Sequence, residues 1–124
     1  MVRKFAAAAV VATALVMFLG ALPAAAQDAD QAPAGDAARG KTLFHADGCW
    51  ECHGTVGQGG GLAGPRIGPA ELRWSKFLEQ LRAPRNNMPP YEPQVLATGD
   101  AASIYAYLKS IPKPPDASSI AILH

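Results

Sequence analysis

The sequence predicts a mostly α-helical fold, with three to four short helices joined by loops. Three observations carry that prediction. Apolar side chains recur at helical spacing in Trp74, Phe77, Leu78 and Leu81, and again in Ile104, Tyr107, Leu108 and Ile111. No alternating apolar run of useful strand length occurs. Seven glycines between Gly54 and Gly68, and three prolines between Asn86 and Pro93, break the chain into loops between the periodic segments.

Met1 to Ala26 reads as an export signal. Arg3 and Lys4 form its positive start, Phe5 to Leu22 is uncharged, and Ala24-Ala25-Ala26 offers a small-residue cleavage site before Gln27. The other reading is a retained membrane anchor. The uncharged stretch lies at the lower limit of a span, but it is rich in Ala and is ended by Gly20 and Pro23. The full chain of 124 residues has eleven Lys+Arg against ten Asp+Glu, a charge of +1; without Arg3 and Lys4 the balance is nine to ten, or −1. So even a balance argues against a polycationic nucleic-acid binder. Two Cys cannot build a disulfide-rich scaffold. A processed domain this small commonly relies on a staple, a metal or a cofactor.

Residues 27–35 read as a flexible lead-in, and residues 36–112 as the folded domain. Asp36 can cap a first helix running to about Ala46, with Gly40 and Phe44 on one face and Gly48 ending it. The glycine-rich stretch from Gly54 to Gly68 is a loop; it lacks the Gly-Lys-Ser/Thr of a phosphate-binding loop. A helix beginning at Trp74 ends near Arg82, before Pro84. The last helix starts near Thr98 or Asp100, either of which can cap it, and stops at Pro112. The Pro-rich tail, residues 113–124, is expected to be extended or disordered.

One motif carries chemistry: Cys49-Trp50-Glu51-Cys52-His53. C-x-x-C-H is the attachment pattern of c-type haem. Two Cys three apart share one face of a helical turn, so their sulfurs can reach two vinyl groups of one macrocycle, and the next residue, His53, is directed to the iron. A CxxC redox pair would prefer a βαβ setting that this chain lacks. Zinc would need a fourth ligand, His45 or His124, and adjacent Cys52 and His53 converge poorly on one ion. A disulfide across two residues would be strained. For the second axial position, imidazole and thioether are the usual partners in an electron carrier. Met88 is the one methionine left after signal removal, and it stands in a loop stiffened by Pro89 and Pro90. His45, His124 or an open position are the competing readings.

With these residues the sequence resembles small, single-haem class I c-type cytochromes of the bacterial periplasm. The resemblance covers about Asp36 to Pro112. Cys49 to His53 is its centre, Gly40 and Phe44 match the family's N-terminal helix, Ile104 to Leu108 its C-terminal helix, and Asn87-Met88-Pro89 its second ligand region. It implies a cytochrome c fold in which these two helices cross closely, with Gly at the contact and an aromatic from each nearby. It also implies one covalent haem c on Cys49 and Cys52, axial ligands His53 and Met88, and a Pro65 carbonyl that orients the His53 ring. The loop from Pro65 to Met88 is more compact than the mitochondrial form, so propionate contacts are not assigned; Arg66, Trp74 and Tyr91 are candidates for lining or hydrogen bonding, with Trp74 better read as core.

The expected function is electron carriage in the periplasm and not enzymatic catalysis. A periplasmic dehydrogenase would be the donor and a terminal oxidase or another cytochrome the acceptor, with no nucleic acid and no membrane once the signal is removed. The alternatives are a dedicated cytochrome subunit of a periplasmic dehydrogenase and a haem enzyme or sensor with an open distal site. Five basic residues (Arg66, Arg73, Lys76, Arg82, Arg85) against Glu71 and Glu79 make a candidate docking face, while residues 27–60 carry the opposite sign.

Overall fold

The computed structural model describes residues 30–60 and 64–123. The expected export signal, residues 1–26, lies outside the described residues. Four α-helices follow one another: α1 (Ala37–Ala46), α2 (Cys49–His53), α3 (Trp74–Arg82) and α4 (Thr98–Ser110). There is no strand among the described residues, which matches the helical class expected from the sequence.

The core is built where α1 crosses α4. Asp36 caps α1, its carboxylate accepting from the N–H groups of Ala38 and Arg39 at 2.8 and 3.1 Å. Gly40 then meets α4 backbone to backbone: a Cβ at this position would overlap the Ser103 carbonyl. That close approach lets Phe44, fully buried, pack its ring 5.6 Å from that of Tyr107. Polar contacts reinforce the crossing. Ser103 Oγ accepts from Asp36 N at 3.2 Å, and Arg39 reaches Asp100 at 2.7 Å.

Helix α3 packs its apolar stripe on the other side of α4. Trp74, Phe77 and Leu81 are buried, and the rings of Trp74 and Phe77 lie 5.5 and 5.1 Å from Tyr105. Trp74 is thus a core residue. Neither residue expected to cap α4 does so. Ala97 holds the cap position with no side-chain bond, and Asp100 is drawn instead to Arg39 on α1. The start of α3 is capped from a distance: Asp30 accepts from Ser75 N at 2.7 Å and pairs with Arg73. Ala32 also packs against the core, so residues 30–35 lie on the domain. In the tail, Ala117–Ser119 and Ala121–Leu123 form 3₁₀ turns where extended or disordered chain was expected. No helix among the described residues is long and apolar enough to cross a membrane.

Candidate cofactor site

The Cys-x-x-Cys-His segment sits immediately after α1. Asp47 is the C-cap of α1, and Gly48 follows with a positive φ of 74°. Glycine accepts this left-handed turn without steric cost, and the chain enters α2 at Cys49. One short turn, α2, carries Cys49, Cys52 and His53 together and buries none of its five residues. Both cysteines are free and partly exposed. Trp50 between them is exposed and stacks on His45, ring centres 6.3 Å apart.

The glycine loop folds back over the end of α2 and satisfies its last carbonyls. Gly54 N donates to Trp50 O at 2.9 Å, Gly59 N to His53 O at 2.7 Å and Gly64 N to Cys52 O at 3.1 Å. That return brings Pro65 O to 2.8 Å from His53 Nδ1. A carbonyl can only accept, so Nδ1 is the donor here, and in the neutral ring Nε2 is the nitrogen left with a lone pair. Gly64 has to be small here, because a Cβ would lie 2.8 Å from His53 Nδ1.

The Met88 loop is tied through Tyr91 to the end of α1, just before the attachment turn. Tyr91 Oη donates to Asp47 O at 2.9 Å and lies against the Cys49 thiol. Tyr91 N returns to Leu81 O at 2.8 Å, and Arg82 Nη1 donates to Tyr91 O. Met88 itself is half-buried against the core, with Gln80 Nε2 donating to its sulfur at 3.6 Å. Burial pushes the Cys49 thiol up to about 11 and raises the Tyr91 phenol above its usual range. A redox-active thiol is shifted the other way. Burial likewise raises the Asp47 carboxyl, helped by Asp100.

Other candidates lie elsewhere. Arg66 is exposed and turns its guanidinium to Gly68 O at 3.4 Å. His45 is an exposed residue in the last turn of α1, and His124 lies outside the described residues. Among the described residues no three His, Cys, Asp or Glu side chains converge as a metal site. Gln80 and Arg82 touch the Met88 loop; from the sequence Gln80 was not singled out and Arg82 was read only as one charge of the candidate docking face. Their only signal was position, in the last turn of α3 just before that loop. A surface groove of about 550 Å³, lined by residues such as Lys41, Arg66, Tyr107 and Ile111, is separate from Cys49, His53 and Met88.

Such a fold, with paired cysteines and a histidine on one turn behind its N-terminal helix, defines a small c-type cytochrome domain. The family model described as Cytochrome C oxidase, cbb3-type, subunit III matches residues 35–108, and the chain belongs to that family. No curated protein matches the chain. Membership brings a covalently bound haem c and an electron-carrying role. The residues fit that group: two free thiols share a turn, a neighbouring imidazole is held by its other nitrogen, and Arg82 Nη2 is a buried donor with no partner among the described residues.

Proposed function

We propose that the protein is a periplasmic one-electron carrier in which Cys49 and Cys52 bond haem c, and His53 and Met88 are the two axial ligands of its iron. One observation carries this reading above the rest. The loop bearing Met88 is hydrogen-bonded through Tyr91 to Asp47, the C-cap of α1 two residues before Cys49, while His53 is oriented from behind by Pro65. Haem c supplies a one-electron couple whose potential rises with thioether ligation.

Each residue then has a distinct task. Cys49 and Cys52 remove the entropic cost of holding a large planar group in a small domain. Pro65 O fixes the tautomer and ring angle of His53 and raises its basicity. Pro89 and Pro90 narrow the backbone choices beside Met88. Two protein ligands leave no open position for a substrate, which favours a carrier over an enzyme or gas sensor.

In this reading the donor is a periplasmic dehydrogenase and the acceptor a terminal oxidase or another cytochrome, met through a small, transient interface. The basic stretch of α3 is a weaker docking face than its composition implies, because Arg73 pairs with Asp30 and Lys76 with Glu79. The family's description names an oxidase subunit, which supports a second reading, a cytochrome held in a complex; copurification with a membrane or dehydrogenase partner separates the two. The ligation test is spectroscopic. Ferric protein should show the near-infrared sulfur-to-iron band, and Met88→Ala should lose it. Rapid carbon monoxide binding by untreated ferrous protein would overturn the six-coordinate reading.

A further inference from the structure

The last turn of α3 holds the methionine loop at three consecutive residues. Gln80 Nε2 donates to Met88 Sδ at 3.6 Å. Leu81 O accepts from Tyr91 N at 2.8 Å, and Arg82 Nη1 donates to Tyr91 O. Leu81 is buried in the core, so this turn is anchored by packing and does not drift with the loop. The amide of Gln80 is oriented by its other end: Oε1 accepts from Arg85 N at 3.5 Å, which leaves the NH₂ group facing the sulfur.

We infer that Gln80 is a positioning residue for the thioether ligand, its amide N–H engaging one sulfur lone pair and leaving the other for the iron. This rests on the Met88 ligation proposed above. A thioether sulfur is a weak acceptor with two lone pairs. Donation from Gln80 draws density from the sulfur and makes it a poorer donor to ferric iron, which favours the ferrous state. Outer-shell hydrogen bonds of this kind both aim a ligand and tune the metal. The bond also selects which lone pair of Met88 is presented, and so the configuration at sulfur.

The experiment compares haem-loaded wild type with haem-loaded Gln80→Leu, which keeps an apolar volume but removes the donor. The near-infrared band should persist in Gln80→Leu but move. The ferrous-to-ferric ratio, poised against a fixed redox couple, should fall about two- to tenfold, the range of a net hydrogen bond. A merely structural role would lower the unfolding midpoint and leave band and ratio in place, and that result overturns the inference. If Gln80→Leu does not assemble, nitrogen-edited spectra of reduced wild type decide. One slowly exchanging Gln80 side-chain N–H is expected, whereas two freely exchanging amide protons overturn the assignment. The two proposals fail separately. A wild-type spectrum without the band ends Met88 ligation and this inference together; a wild-type band indifferent to Gln80→Leu ends this inference alone.

Discussion

The α1–α4 crossing and the attachment side are built by different physics. At the crossing, Gly40 lets two backbones touch, and Phe44, Ala101, Ala102, Ile104 and Leu108 are almost fully buried. Apolar burial and close packing hold it. On the attachment side, α2 buries none of its residues, and the order comes from directed hydrogen bonds: Gly64 N to Cys52 O, Pro65 O to His53, Tyr91 Oη to Asp47 O. The packed half is a frame with one solution. The bonded half fixes individual side chains one polar contact at a time. Rigidity near a reactive group can therefore come from satisfied polar contacts where little surface is buried.

The largest effect should come from cutting the bonded half from its cofactor. Cys49→Ala with Cys52→Ala should give a colourless product with the mass of the bare chain and little helical signal, because a domain this small has a limited core. Native-like helicity in that double variant would show that the frame stands alone, and the two regions would be less dependent on each other than described. Next comes an attack on the frame. Gly40→Val places a branched side chain against the Ser103 carbonyl, and the overlap should destabilise by about 3 kcal/mol or more. The denaturant midpoint of the haem-loaded protein reads it. An unchanged midpoint would mean that α1 and α4 can separate at little cost.

Tyr91→Phe tests the join between the two regions. It removes the hydroxyl that donates to Asp47 O and touches Cys49, leaving that carbonyl short of a partner at a cost of about 1–3 kcal/mol. Loss of stability with a weakened near-infrared band is expected; a change in neither would detach Tyr91 from the site.

How readable each region was in the sequence follows from the same contrast. Burial repeats with the helix period, so Trp74, Phe77 and Leu81, and Ile104, Tyr107 and Leu108, announced α3 and α4. The cysteine spacing announced the helical turn of α2. Long-range polar contacts leave no period. Nothing local marks Asp30 as the cap of Ser75, and Asp100 looked like a helix cap until Arg39, 61 residues away in sequence, claimed its carboxylate. The contacts of Gln80 and Arg82 were hidden for the same reason: nothing local marks them, and only the returning loop gives them partners.

The smallest effect should come from Asp30, a polar contact placed on the packed half. Its carboxyl is held below the usual 3.8, first by the hydrogen bonds from Ser75 and then by the charges of Arg73 and Lys76, against some desolvation. A lowered folded pKa means that the stabilisation is present above 3.8 and is lost as pH falls through the folded value. Asp30→Asn keeps an acceptor for Ser75 N but removes the charge at the start of α3. The variant should melt slightly below wild type near neutrality, the gap closing as the solution is acidified and shrinking with added salt, since Arg73 is exposed. Melting curves taken across acid pH give the answer. A gap that stays constant into strong acid would mean that Asp30 acts through shape alone, and the polar contact would then belong with the packed frame and not with the bonded half.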